Sequence, residues 1–222
     1  MPVGPPPNRP APSGPVSTGP LAARQQEEAA AVLARAFRDN PLNVTVLGPD
    51  PARRLRANHA AMTELVPIAR RVGLVLGAPA QGTCAGVLLA APPLTYPFPP
   101  PGLGAWLRGW FIQGPRARRR WSEVFHHLDA LHPDTPHWYV AALGVDPPRQ
   151  RAGLGRALLA ALCARADADG VFCYLETDRP ENVTFYQSAG FAVAGESRCL
   201  GVRIWHMRRS AREAPRRAPQ LT

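Results

Sequence analysis

The chain has 222 residues, 45 % of them hydrophobic, which suffices for one well-packed core and makes a single domain the simplest organisation. All 26 basic residues are arginine and the formal net charge is +10; the lack of lysine excludes Schiff-base catalysis and a Walker-type phosphate lysine. The arginines are scattered and no nucleic-acid motif accompanies them, so the charge reads as compositional bias and no specific nucleic-acid partner is expected.

Residues 1–16 are rich in Pro, Gly and Ser and are expected to be disordered, ahead of a domain over 17–209 and a basic tail over 210–222. A weak first strand is expected near Val16 to Thr18. Ala29, Val32, Leu33, Ala36 and Phe37 then recur at helical spacing, opposite Gln25, Gln26, Glu28 and Arg35, and predict an amphipathic helix ending near Asn40 and Pro41. A second helix is predicted over 51–71, with Leu55, Met62, Leu65, Val66 and Ala69 inward and Pro67 expected to kink it or end it early. The apolar stretch 72–91 is interrupted by Pro79, Gln81 and Gly82. It therefore reads as a hairpin, 73–78 with 83–91, rather than a membrane span.

The run 92–101 is too proline-rich for helix or central strand and predicts a PPII-like surface segment. Leu103, Trp106, Leu107, Trp110 and Phe111 mark a short helix. Trp121, Val124, Phe125, Leu128 and Leu131 mark another, after the arginine run 116–120. From Pro136 the predicted order is strand to Val145, helix 153–168, strand 171–177, helix 180–189 and strands 191–197 and 202–208. Such alternation closed by a strand pair implies an α/β domain with a mixed sheet covered by helices.

Cys84, Cys163, Cys173 and Cys199 show no metal spacing and read as reduced thiols of a cytoplasmic protein. His59, His126, His127 and His132 fall on helices or their ends without ligand spacing, so no metal is expected. No signal peptide is visible. The densest basic segment is 198–217, where seven arginines face Glu213.

The most informative stretch joins the strand ending at Val145 to a leucine-rich helix through Gln150, Arg151, Ala152, Gly153, Leu154, Gly155 and Arg156. A glycine-bearing loop opening directly into a helix aims several backbone N–H groups at one point and suits a phosphate or pyrophosphate. Glu176 lies where a Rossmann ribose-binding acid would sit, but the third glycine position holds leucine and no second nucleotide-binding half follows.

Gln150 to Gly155 fits the pattern Q/R-x-x-G-x-G/A, and Asn182 to Phe191 resembles N-x-x-x-[FL]-Y-x-x-x-G-F. Together, in this order, they resemble the two signatures of the GCN5-related N-acetyltransferases (GNAT). Residues 36–41, the strand start His137-Trp138-Tyr139 and Leu175-Glu176-Thr177 are similar to the puromycin N-acetyltransferase branch. The resemblance implies a twisted, mixed, mostly antiparallel sheet of about seven strands flanked by helices. In that fold two central strands, here ending at Val145 and Thr177, splay apart, and acetyl-CoA is the acetyl donor. It further implies cofactor contacts from Leu143, Gly144, Val145, the loop Gln150, Arg151, Ala152, Gly153, Leu154, Gly155 and Arg156, and from Asn182 and Tyr186.

Amine acetylation needs a neutral amine, a stabilised oxyanion and a proton for the departing thiolate. An N–H of the strand through Gly144 would meet the oxyanion, with Gly144 marking a bulge that frees it. The resemblance assigns Tyr186 as general acid; Asn182 and Tyr186 share one helix face. Asp178 is expected to cap that helix. Glu176 is the candidate base, against the alternative of a structural carboxylate; His137 and His206 are further candidates. Tyr96, Phe98 and the helix of Trp106 to Phe111 are candidates for the floor of the acceptor pocket, against simple core packing. The expected activity is acetylation of a small-molecule primary amine in a ternary complex by a cytoplasmic enzyme. Protein acetylation and a non-catalytic CoA sensor are the alternatives, and a homodimer fits the family habit.

Overall fold

The structure is a computed structural model that describes residues 16–79, 82–100 and 102–212. The expected N-terminal disorder and the basic tail lie outside these residues, apart from Val16 and residues 210–212. The elements are β1 (Gly19–Pro20), α1 (Gln26–Phe37), α2 (Pro41–Leu47), α3 (Pro51–Val72), β2 (Leu74–Ala78), β3 (Gly86–Ala91), α4 (Leu103–Asp129), β4 (His137–Val145), α5 (Leu154–Ala168), β5 (Phe172–Thr177), α6 (Pro180–Ser188), β6 (Ala192–Cys199) and β7 (Val202–Arg209).

The strands form one seven-stranded sheet in the order β1-β2-β3-β4-β5-β7-β6. Every pairing is antiparallel except β4 with β5, so the sheet is mixed, as the alternating helix–strand order implied, and mostly antiparallel, as the family resemblance implied. Strand side chains alternate between two helical layers. On one face Leu158, Leu159 and Leu162 of α5 pack against Leu76, Leu88, Trp138 and Leu175; their i, i+1, i+4 spacing is why this segment is an amphipathic helix. On the other, Val32 and Leu33 of α1 and Val66 and Ala69 of α3 cover Val75, Val87, Leu89 and Ala142. Beyond them α2 and α4 close over β7 through Val46, Leu47, Ala117, Val124 and Ile204.

The sheet parts in its middle. β4 and β5 pair only at His137↔Phe172, Trp138↔Cys173 and Tyr139↔Tyr174. Past Tyr139, β4 stays with β3 as far as Val145, while β5 stays with β7 as far as Thr177. The register of β4 on β3 jumps from Ala90↔Val140 to Leu89↔Ala142. Ala141 is therefore the extra residue of a bulge, which bends β4 where the fork opens.

This corrects the expectation for Gly144. It sits in register opposite Val87, and its lack of a side chain serves helix packing. A Cβ there would lie 2.9 Å from Ala36 Cβ and 2.9 Å from Leu33 Cδ2 on α1.

Other elements depart from the sequence reading for tertiary reasons. The first strand falls at Gly19–Pro20, where it pairs with β2. α2 follows Pro41 where only an end was expected; its Val46 and Leu47 are buried. α3 continues through Pro67 to Val72. Pro67 faces solvent while Val66 and Ala69 are fully buried, so packing holds the helix and water replaces the missing bond. The two helices expected over 103–131 are arms of α4, divided by Gly114 at φ 78°, ψ 166° with Pro115 behind it. The side chains of Trp106, Leu107 and Trp110 lie outside the described residues.

Replacing Gly144 with alanine should push α1 off β4 and cost about 1–3 kcal/mol, read as a lowered urea midpoint with an unchanged m value.

Candidate active site

One lip of the fork is the turn that leaves β4. Asp146 N–H donates to Ala85 O at 2.8 Å, the Arg35 guanidinium grips its carboxylate at 2.7 and 3.1 Å, and the Gln150 side-chain amide donates to Val145 O at 3.2 Å. So anchored, the loop turns sharply: Arg151 has φ 65° and Gly153 φ 81°. Left-handed residues on either side of Ala152 gather successive N–H groups into one concavity. Among the described residues, nothing accepts from the N–H groups of Arg151 to Arg156. The last three belong to the first turn of α5, where such donors have no intrahelical partner. The Phe185 ring of α6 packs over the helix start, where a Cβ on Gly155 would meet it at an ordinary 3.5 Å. The exposed side chains of Arg151 and Arg156 add charge.

The opposite lip is the turn from β5 into α6. Thr177 Oγ1 accepts from Asn182 Nδ2 at 3.2 Å and from Arg179 N at 3.4 Å, which ties the helix start to the strand end. Asp178 does not cap α6, whose N-cap is Arg179. The Asp178 carboxylate is buried instead against α2, accepting from Leu42 N at 2.8 Å and Asn40 Nδ2 at 3.4 Å. Leu42 N is one of the first-turn donors of α2, so Asp178 acts as a cap supplied from another element. Burial raises its carboxyl above the ordinary range, against the pull of the Leu42 N–H.

One turn after Asn182, Tyr186 is buried beside Phe185 and Phe191, with ring centroids 5.1 and 5.8 Å away. Burial alone pushes its phenol far above the ordinary tyrosine value, so the group is a held proton donor at any physiological pH.

The other face of the fork is a nest of rings over a carboxylate. Trp138, Val140, Cys173 and Leu175 point toward α5, so alternation turns His137, Tyr139, Tyr174 and Glu176 the other way. There the Tyr96 ring stacks on His132 at 3.7 Å and meets Tyr139 edge-on at 4.8 Å. His132 is edge-on to Tyr139 at 5.0 Å and to Tyr174 at 5.3 Å. The Tyr96 hydroxyl donates to Asp129, at the end of α4.

Glu176 stands two residues beyond the last rung of the β4–β5 ladder. Its side chain is 8 % exposed, that of His132 is 9 % exposed, and Oε1 lies 4.0 Å from His132 Nδ1. Neither this oxygen nor either ring nitrogen of His132 has a hydrogen-bond partner, and His137 Nε2 shares that condition. Burial raises Glu176 to about 7 despite the neighbouring hydroxyls of Tyr139 and Tyr174. Burial, then His137, lowers His132 to about 4. The two shifts run against an ion pair: at neutral pH His132 is an uncharged acceptor and Glu176 is about half ionised.

A sequence profile described as the acetyltransferase (GNAT) family matches residues 76–191, more than half of the chain and both signature segments. The chain belongs to the GNAT acetyltransferase family. Solved GNAT-fold structures superpose over nearly its whole length. A Corynebacterium glutamicum protein described as histone acetyltransferase HPA2 and related acetyltransferase has TM-score 0.68 at 21 % identity, covering 90 % of this chain and 98 % of that one. Drosophila melanogaster polyamine N-acetyltransferase gives 0.62 at 14 %, covering 88 % and 100 %. The PaiA N-acetyltransferase of Thermoplasma acidophilum, in complex with coenzyme A, gives 0.55 at 13 %, covering 89 % and 99 %.

As a GNAT enzyme the protein takes its acetyl group from acetyl-CoA, and the loop fits that donor. Six unpartnered N–H groups, two guanidinium groups and a left-handed glycine match a diphosphate. Among the described residues there is no cluster of His, Cys, Asp or Glu able to hold a metal and no helix long and apolar enough to cross a membrane. Two surface grooves, about 690 and 570 Å³, contain neither the loop nor Tyr186 nor Glu176; on the carboxylate side Tyr96 and His132 fill the fork.

Sequence reasoning found Glu176 but set His132 aside as a helix-end residue and overlooked Tyr139 and Tyr174. The period-two pairs His137/Tyr139 and Tyr174/Glu176 were the available signal. His132 enters from a chain segment with no periodic tie to either strand.

A carboxyl raised from 4.5 to about 7 binds its proton more tightly in the folded chain than in the unfolded one. The folded state accordingly loses stability as pH climbs from about 4.5 to 7, and the loss is complete above 7. Glu176→Gln should stabilise the protein by on the order of 1–3 kcal/mol at pH 8 and change little at pH 4.5, measured by urea unfolding at both values.

Proposed function

We propose that this GNAT enzyme acetylates the primary amine of a small molecule by direct attack within a ternary complex. Glu176 receives the ammonium proton and Tyr186 gives a proton to the departing sulfur. The observation that carries the reading is the pair of unpartnered acceptors, Glu176 Oε1 and His132 Nδ1, 4.0 Å apart at the mouth of the fork. One ammonium nitrogen about 2.8 Å from each would subtend an angle of about 90°, close to what its tetrahedral hydrogens need. Because His132 is neutral it can accept a hydrogen, and because Glu176 titrates near 7 it can take the proton at working pH.

In this mechanism the N–H groups of residues 151–156 bind the diphosphate, and Asn182 steadies the turn beside it through Thr177. Bound acetyl-CoA supplies the thioester acyl group. Main-chain N–H groups of β4, on the edge that leaves β5 after Tyr139, are directed at the developing oxyanion; Leu143, Gly144 and Val145 line that edge. Tyr186, kept protonated by burial, would supply the proton that the departing sulfur needs.

A small acceptor is favoured over a protein because the carboxylate lies behind the Tyr96 ring, itself tethered to Asp129. A flat or aromatic amine suits a site whose neighbours are the rings of Tyr96, Tyr139 and Tyr174, reached by displacing the Tyr96 ring. Four free, buried cysteines agree with a cytoplasmic setting, where thiols stay reduced.

The test is thiol release from acetyl-CoA across puromycin, arylalkylamines, aminoglycosides, polyamines, amino acids and peptides. A small amine should turn over. Tyr186→Phe should lower kcat about tenfold or more while acetyl-CoA binding, measured by calorimetry, is kept. Turnover of peptides alone would put a protein acceptor in place of the small amine, and undiminished kcat in Tyr186→Phe would remove that residue from the mechanism.

A further inference from the structure

Behind Glu176 a row of polar side chains leads out through the sheet. The Tyr174 hydroxyl lies 2.7 Å from His206 Nδ1. His206 Nε2 lies 2.8 Å from Ser197 Oγ, and the same Oγ lies 2.9 Å from Nε2 of His127, half-buried on α4. Tyr174 is two residues before Glu176 on β5, and His206 is opposite Glu176 on β7. Ser197 is on β6, so four elements contribute to one line.

Each member of the row has little hydrogen to give. A phenol and a serine hydroxyl carry one each, and a neutral imidazole carries one on either nitrogen. Burial, and then His127, hold His206 below the ordinary histidine range, so the ring is neutral near pH 7. Two complete arrangements follow. In the first, His127 Nε2–H donates to Ser197, Ser197 O–H to His206 Nε2, and His206 Nδ1–H to the Tyr174 oxygen. The Tyr174 hydrogen is then left for Glu176. In the second every bond is reversed, and Tyr174 gives its hydrogen to His206 instead.

We propose that His206 is a positioning residue for acetyl transfer: seated on Ser197 and His127, it donates through Nδ1 to Tyr174 and so commits the Tyr174 hydroxyl hydrogen to the Glu176 carboxylate. The row transfers no proton; it fixes the direction of four hydrogens. The inward arrangement wins because the Glu176 carboxylate, which neighbours the Tyr174 hydroxyl on the same face of β5 and whose Oε1 has no partner of its own, gains more from a donor than a neutral imidazole does. Without that donor a smaller share of Glu176 would be ionised at working pH, and less of it could act as a base. The inference rests on Glu176 being the base. The other ionisable groups around Glu176 are Tyr96, Asp129, His132 and Tyr139, with His137 beside His132; Arg208, stacked over Phe172, acts on His137.

The experiment uses the full chain without acetyl-CoA or amine, so it does not depend on turnover. Histidine ring ¹⁵N shifts near pH 7.5 should give His206 as the Nδ1–H tautomer, and Ser197→Ala should release it toward Nε2–H. The Glu176 carboxyl, followed by ¹³C, should titrate about one pH unit higher in His206→Leu and in Tyr174→Phe. His206→Asn, whose amide nitrogen replaces Nδ1, should restore most of the wild-type value, and the double variant Tyr174→Phe/His206→Leu should titrate no higher than Tyr174→Phe alone. An Nε2–H tautomer in the wild type, or additive shifts in the double variant, would overturn the proposal. If His206→Leu fails to fold, Tyr174→Phe and His206→Asn carry the same comparison. A carboxyl that moves as expected in a protein that acetylates no amine supports the row and counts against Glu176 as base.

Discussion

Parallel pairing between β4 and β5 stops after Tyr139↔Tyr174, and the position of every candidate site residue depends on that stop. Each strand is held on its outer side by another neighbour: β4 by β3 and by α1, which comes close because residue 144 lacks a side chain, and β5 by β7. The bulge at Ala141 supplies the bend. Held apart this way, the strands present an unpaired main-chain edge between two faces of different chemistry. One face has the N–H-lined loop and a buried phenol. The other has a buried carboxylate roofed by rings.

The carboxylate side is costly. Glu176 Oε1 and both nitrogens of His132 are buried without partners, and each such atom costs on the order of 1–3 kcal/mol. The outlay is tolerated because the leucine-rich packing of α5 and the α1–α3 layer bury large apolar side chains on both faces of the same strands. Strain of this kind gathers at functional sites. It also accounts for the opposed shifts of Glu176 and His132, since one desolvated chamber disfavours charge on both.

The parts of this molecule that were legible in sequence are those whose meaning is local. The loop 150–155 states its own geometry, because glycine at 153 is needed for a left-handed turn and the residues after it are plainly helical. The helix periods of α1 and α5, and the strand–helix order from Pro136 onward, are local too, and so a mixed sheet covered by helices could be anticipated; the count of about seven strands came from the family resemblance. What escaped was set by contacts between distant segments. Gly144 looked like a bulge because nothing in its own strand reveals that Leu33 and Ala36 press on it. Asp178 looked like a helix cap because a proline and a glutamate follow it at first-turn positions. His132 looked idle because its partners, Tyr96 and Glu176, belong to other segments. Pro67 was given too much weight, since an outward-facing proline on a well-packed helix removes one bond and little else.

The carboxylate that closes the first turn of α2 lies 136 residues further along the chain. A seven-residue helix cannot persist alone in water, and α2 has no side chain of its own at that cap. Its full stability therefore waits on β5 joining the sheet and turning toward α6, which supplies the cap that its packing on α3 and α4 lacks. Contacts of such long sequence separation form late, so α2 is among the last elements to settle as the chain folds and among the first to loosen when the native state opens locally.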